Sequence, residues 1–325
     1  MSDVIYTDAE WIERGVVPQC TLDLAYGADE NDFALTVPIG FCIDDGALVY
    51  VDGTGWGGIV RGNCPSTIVD GPHGKPTNTI VGTTWQGVLA ESYIVPDAGS
   101  HVEVSGDAND AMRAVVKRQG LDAMFDVEEA PSGFPVAHRF DRFADVYASF
   151  RKMLAQVGAK LVVAKDPGCK PKLSAVGIRR CIDDGEAARF AYRITDDTPV
   201  NHIIGLGKGE MEERIVVHRF ADAEGRASAI QSIFPPHERQ YLYELSSSDE
   251  AELIEACDEE LKELQKVREC ELRLPAGEAY EVGDVVGIVD ENTGKSITAE
   301  VVKAIVRLDA GGRIEISNEI GDVIL

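Results

Sequence analysis

The chain has 325 residues, 44% of them hydrophobic, and a formal net charge of −25 from 31 basic and 56 acidic side chains. That length and apolar content allow two or three units with their own cores and exclude wholesale disorder. The charge gives colloidal solubility and opposes tight binding to nucleic acid, which depends on Lys and Arg displacing counterions from phosphate. No apolar run approaches the roughly 20 residues that span a bilayer, and the opening MSDVIYTDAEWIERG is acidic where a signal peptide is basic and then apolar. The expectation is a protein made in a cytoplasm, without membrane insertion. Seven cysteines, odd in number, widely spaced and free of C-x-x-C, indicate reduced and mostly buried thiols rather than a disulfide framework or a zinc clip.

Residues 1–96 read as mostly β. Thr21–Ala25, Phe33–Val37, Ala47–Val51, Trp56–Val60 and Ile80–Tyr93 carry strand-type residues between Gly, Pro, Asn and Asp turns. The glycines of TGWGG at 54–58 take a backbone role at a hairpin corner. From Pro96 the period changes. Ala108, Ala111, Met112, Val115 and Val116 recur at helical spacing between Asp107, a fitting N-cap, and Gly120. Phe143, Val146, Tyr147, Phe150, Leu154 and Val157 repeat that spacing up to Gly158, and strand-type residues return at Leu161–Ala164 and Leu173–Ile178. Residues 97–200 thus form an α/β block whose aromatic stripe is core.

In Asn201–Gly225, NHIIGLGKGEMEERIVVHRFADAEG, the glycines Gly205, Gly207 and Gly209 surround Lys208 as in a phosphate-binding loop. A phosphate cradle aims backbone N–H groups from a helix N-terminus and needs Gly-Lys-Ser/Thr to open that helix. Here Gly209 follows Lys208, and β-branched Ile215, Val216 and Val217 lead into His218, Arg219 and Phe220. The segment reads as strand, glycine turn, strand, with no cofactor on Lys208.

A third helix begins at a capping box of Ser247 and Glu250, with acidic residues first and Lys262, Lys266 and Arg268 last, as the helix dipole favours. Its seam of Ile254, Cys257, Leu261 and Leu264 can face its own domain or a neighbouring chain, and its short length, about two heptads, favours its own domain. After Glu269 strands continue to the C-terminus, with turn signals at Gly283-Asp284, Glu291–Gly294 and Gly311-Gly312, as in a small closed barrel. Strand counting adds the pair flanking GLGKG to that barrel, which makes 201–232 and 269–325 one split domain, with 233–268 and its acidic helix inserted.

Four segments in order, IVGTTWQGVLAESYIVP (80–96), YASFRKMLAQVGAKLVVAKD (147–166), NHIIGLGKGEMEERIVVHRFADAEG (201–225) and YEVGDVVGIVDENTG (280–294), resemble the tail hub proteins of phages and prophages. The resemblance is in particular to a siphophage tail-tip family sharing the baseplate hub fold of contractile-tail phages. It implies an α+β, mostly β chain: one β-barrel domain at 1–96, an α/β domain at 97–200, and the split second barrel. It further implies a structural role in which three subunits close into a ring of six barrels through a heterologous interface. The homotrimer adapts a sixfold tail tube to a threefold tip, between a tail tube or distal tail ring protein and a spike or fibre protein. DNA passes through its channel, past an acidic lumen, without being held. The site of action is the virion tail, after synthesis in the bacterial host cytoplasm. The chain lacks the fibre, receptor-binding or cell-wall-cleaving extensions of many such proteins, so host recognition and lysis are expected of separate polypeptides.

The alternatives are a cell-wall hydrolase and a carbohydrate-binding module of a phage tail. For the first, the histidines His73, His101, His138, His202, His218 and His237 contain no H-E-x-x-H or H-x-H, and no G-x-S-x-G is present. Cys64, Asp70 and His73 are near one another only in sequence, His202 and His218 read as barrel-strand residues, and His237 and Glu238 follow Pro235-Pro236 in a loop. No catalytic, cofactor-binding or metal-binding residue is assigned, and the chain is expected not to be an enzyme. For the second, Trp56 and Trp85 would be the stacking platforms, although tryptophans in small barrels are more often core.

Overall fold

The computed structural model describes residues 3–62, 66–68, 77–183, 191–195, 200–222, 226–265, 269–273, 280–289 and 296–324. In chain order it runs β1 (Val4–Thr7), β2 (Glu13–Val16), β3 (Thr21–Gly27), β4 (Asp32–Pro38), β5 (Leu48–Val51), β6 (Gly57–Val60), β7 (Ser66–Ile68), β8 (Thr77–Thr84) and α1 (Trp85–Ala90). There follow β9 (Glu103–Asp107), α2 (Ala108–Arg118), β10 (Asp126–Val127), β11 (Pro135–Arg139), α3 (Val146–Ala155), β12 (Ala159–Ala164), β13 (Lys172–Gly177) and β14 (Arg180–Asp183). Next come β15 (Ala191–Thr195), β16 (His202–Leu206), β17 (Val216–Ala221), β18 (Ala227–Ser228), β19 (Gln240–Glu244), α4 (Glu250–Gln265) and β20 (Glu269–Arg273), then β21 (Val285–Val289), β22 (Ser296–Leu308) and β23 (Ile314–Ile324). The chain is α+β and mostly β. It divides into one unit of Met1–Phe190 with Leu274–Leu325 and a second of Ala191–Arg273.

The first unit is built on a sheet in the order β14-β21-β22-β3-β4-β8-β6-β5-β1-β2, with β23 on β22 and β7 on β8. Alternation sets its faces: Leu22 and Leu24 of β3 and Phe33, Leu35 and Val37 of β4 point inward, beside Val306 and Leu308 of β22. The antiparallel ladder from Leu22↔Leu308 to Gly27↔Lys303 joins the N-terminal strands directly to the C-terminal ones. This differs from the expectation of two separate barrels. Among the described residues the strand order ends at β14 and β2 without closing. The second core holds the α/β elements, with Met112, Phe150 and Leu154 from the helices, but also Tyr50, Trp85 and Leu89 from before residue 96. A boundary drawn at residue 96 therefore crosses continuous packing.

The GD of YEVGDVV has a structural task. Gly283 takes φ +94° over Lys160, where a Cβ would fall 2.9 Å from that residue's own Cβ. Asp284, wholly buried, then accepts from Lys160 Nζ at 2.6 Å, from the Arg179 N–H at 3.1 Å and, through its other oxygen, from the Glu281 N–H at 3.1 Å.

In the second unit β15 and β20 pair antiparallel where the chain enters and leaves, and β18-β17-β16-β19 form a sheet with α4 against it. The strands flanking GLGKG thus ladder with β18 and β19, and among the described residues not with β21–β23. The face that carries Ile203, Val217 and Ala221 is covered by Leu253, Cys257 and Leu261 of α4. The helix seam faces its own unit, as expected, although Leu253 rather than Ile254 joins Cys257 and Leu261 as a fully buried member.

The helix signals differ in how far they carried. Asp107 caps α2 and also accepts from Ser132 N, Ser132 Oγ and Gly133 N; burial works against its charge, but these bonds prevail and hold its carboxyl below the ordinary range. α3 starts only at Val146, capped by Asp145, and leaves Phe143 outside at φ +58° and exposed. α4 is capped by Asp249, whose Oδ1 accepts from the N–H groups of Ala251 and Glu252, not by Ser247. The strand expected over Ile80–Tyr93 ends at Thr84, whose hydroxyl caps α1. A short helix buried nearly all round has no periodicity to distinguish it from a core strand. The turn expected at Glu291–Gly294 lies outside the described residues.

Candidate functional site

The densest polar cluster in the second unit lies on the sheet face opposite α4. His202 pairs with Phe220 across β16 and β17, and Ile204 with His218, which puts both imidazoles on one side. His202, 6% exposed, has its Nδ1 2.5 Å from Oε1 of Glu238 and its Nε2 2.8 Å from Nδ1 of His218. The Phe220 ring lies 4.3 Å from the His202 ring, centroid to centroid. Glu238 also accepts from the Gln240 amide at 3.1 Å; that bond first, then the one from His202, holds its carboxyl below the ordinary value of 4.5. An ionised Glu238 fixes the proton of His202 on Nδ1, which leaves Nε2 to accept from His218 Nδ1–H. Asn201 clamps the same loop, donating to the His237 carbonyl at 2.7 Å and accepting from the Arg239 N–H at 2.8 Å.

Chemically this is an oriented relay without a nucleophile. Among the described residues no hydroxyl or thiol bonds to either imidazole, and no three His, Cys, Asp or Glu side chains stand in metal-binding arrangement. What the bonds do is fasten residues 237–239 to the sheet.

The glycines of GLGKG serve packing as well as turning. A Cβ on Gly205 would fall 2.4 Å from Cys257 Sγ and 3.3 Å from Leu253 Cγ, and one on Gly207 3.0 Å from Leu253 Cδ2. Only Gly209, at φ +104°, needs glycine for its backbone. Lys208 uses its backbone, donating to Ser248 O at 3.1 Å and accepting from Ile215 N at 2.9 Å. Arg219 grips Asp258 of α4 in bidentate fashion at 2.5 and 2.8 Å. We expect Gly205→Ala to loosen the second unit by about 1–3 kcal/mol through overpacking. Hydrogen exchange over residues 201–221 should accelerate, and Cys257→Ala should restore part of the protection; unchanged exchange would refute this contact.

The remaining residues singled out in the sequence are dispersed. Cys64, Asp70 and His73 lie outside the described residues. His101 Nδ1 is 3.3 Å from the Phe140 carbonyl, and His138 is 3.0 Å from the Gln156 amide. The thiols were expected to be mostly buried, yet Cys20 and Cys257 are buried, Cys181 is half-buried, and Cys42 and Cys169 are exposed. Trp85 is wholly buried and offers no stacking face, whereas Trp56 is half-buried on the wall of a cavity. No described helix is long and apolar enough to cross a membrane.

No protein-family model matches the chain, and no curated protein matches its sequence. Solved structures do. The prophage tail protein gp18 from Listeria monocytogenes EGD-e is 13% identical, with 98% of this chain and 95% of that chain covered and a TM-score of 0.49. The 43 kDa tail protein of prophage MuSo2 from Shewanella oneidensis is 12% identical, with 99% and 98% covered and a TM-score of 0.48. A chain of the p2 virion baseplate in its activated conformation is 11% identical, with 99% and 100% covered and a TM-score of 0.49. Along nearly its whole length the chain is similar to phage tail and baseplate proteins, at TM-scores below 0.5.

Proposed function

We propose that the chain is a structural tail protein of a phage or prophage, the hub of a baseplate or tail tip. Three copies close into a ring that adapts the sixfold tail tube to a threefold tip. The observation that carries the reading is the order of the four family-like segments and their coincidence with packed elements: 80–96 holds β8 and α1, 147–166 holds α3 and β12, 201–225 holds the β16–β17 hairpin, and 280–294 holds the Gly283-Asp284 turn and β21. The ring sits between a tail tube or distal tail ring protein and a spike or fibre protein. The charge of −25 suits a channel through which DNA slides without adhering. In this reading the barrel-like work falls to the strands of the first unit, and the chain performs no catalysis.

Sedimentation or light-scattering mass, combined with class-averaged images, tests the proposal. The expected result is a ring of three copies around a hole lined mostly by Asp and Glu. A strict monomer at high concentration would overturn the assembly, and a strongly basic lumen would overturn the proposed passage of DNA.

A further inference from the structure

Within the first unit a cavity of about 280 Å³ opens between the end of β3, the loop at 53–56, α1, α3 and β12. Gly55 approaches β12 so closely that a Cβ there would fall 2.2 Å from the Val163 carbonyl oxygen, which makes loop and strand one wall. Trp56 and Tyr26 contribute aromatic surface to it. Two polar side chains line it, Gln86, 8% exposed, and Tyr147, 6% exposed; among the described residues neither makes a hydrogen bond, and neither polar group is sealed from solvent. Water that enters the cavity can bond to both groups, and a ligand that displaces it must replace those bonds. Both side chains line the same space.

Charge and size select what would complete them. The carboxylate at the rim, Glu281, is already held by Lys160 at 2.7 Å, so a cation finds it occupied, and an anion meets a chain of net charge −25. Burial pushes the Tyr147 phenol up to about 12 and the Tyr26 phenol higher still, so both remain neutral hydrogen-bond donors. The volume is near the lower end, roughly 300 Å³, of small-molecule sites, which suits one six-membered ring and not a length of peptide. A neutral ring with hydroxyls on its edge and C–H groups on its face matches both the donors and acceptors of Gln86 and Tyr147 and the indole.

We propose that this cavity binds a single saccharide ring, hydrogen-bonded by Gln86 and Tyr147 and stacked against Trp56. The site lies wholly within one chain, so it stands or falls independently of the trimeric ring.

The test titrates the full chain with glucose, galactose, rhamnose and N-acetylglucosamine, each free and as its methyl glycosides, following tryptophan emission and ligand-detected magnetic resonance. At least one sugar should saturate, and the emission change should vanish in Trp56→Phe. A methyl glycoside that binds as well as the free sugar identifies the ring as the end of a glycan chain; one that fails identifies a free monosaccharide. Gln86→Met, close in shape, and Tyr147→Phe should each weaken binding at least about tenfold. Their melting temperatures should stay close to that of the parent chain, because neither polar group bonds to another described residue. Absence of saturable binding by every sugar up to roughly 100 mM would overturn the proposal. So would affinity unaltered in both variants.

Discussion

Asp284→Ala is expected to lower the stability of the first unit by about 3–5 kcal/mol, the usual cost of removing one partner from a buried ion pair. The carboxylate is wholly buried and Lys160 is 6% exposed, so the ammonium would be left with only the half-exposed Glu281. The N–H groups of Arg179 and Glu281 would lose their acceptor at the same time. All three tryptophans of the chain, Trp11, Trp56 and Trp85, belong to this unit, so the urea transition of tryptophan emission reports on it alone. Its midpoint should fall while its slope is retained. Asp284→Asn, which keeps an acceptor and loses the charge, should fall between. Lys160→Met combined with Asp284→Leu should recover much of the loss, since the expense lies in the widowed charge and not in the pair's net attraction. A loss under 1 kcal/mol for Asp284→Ala would show that water reaches Lys160.

Trp85→Ala should cost a similar amount, about 3–5 kcal/mol, for a different reason. The indole is wholly buried and, with Leu89 of the same helix, joins α1 to Leu48 and Tyr50 in the core of the first unit. A Cβ on Gly57 would fall 2.8 Å from Trp85 Cζ2, so backbone closes over the ring and cannot readily collapse into the space it leaves. Trp85→Phe provides the contrast. Among the described residues its indole N–H has no hydrogen-bond partner, so the smaller ring loses contact area but also removes an orphaned donor. The expected cost is about 1 kcal/mol, and a midpoint as low as that of Trp85→Ala would refute the account. Emission from Trp11 and Trp56 remains to follow both variants.

These residues also show what a sequence can and cannot convey. α2 was legible because its stripe, its cap at Asp107 and its stop at Gly120 are all local and agree. α1 was not, since a helix buried nearly all round carries no polar face to reveal its period. Strand positions and faces emerged from alternation, as at Leu22 and Leu24, but partners did not: β22 and β3 pair across most of the chain, and nothing local in LDLAY names AIVRL as its neighbour. The GLGKG hairpin was located correctly, yet its glycines answer to Cys257 and Leu253 on a helix some fifty positions later. Likewise Glu238 bonds to His202 across 36 positions, and His202 in turn to His218 across 16. The only hint was a histidine on each of two adjacent strands. Gln86 gave no sign at all, because its place on the cavity wall comes from the meeting of α1 with strands and loops distant in sequence.

The pairing of β3 with β22 also bears on how the protein comes to exist. Asp23 and Arg307 meet 284 positions apart, so a ribosome completes β3 and β4 long before their third neighbour emerges. Throughout that interval the nascent sheet ends at β3, a seven-residue strand with an open hydrogen-bonding edge and two inward leucines. Ala191–Arg273, whose entry and exit strands pair with each other, can complete itself meanwhile. The larger unit must wait, exposed to misassociation with other nascent copies, which makes its yield a matter of chaperone occupancy and synthesis rate as much as of final stability.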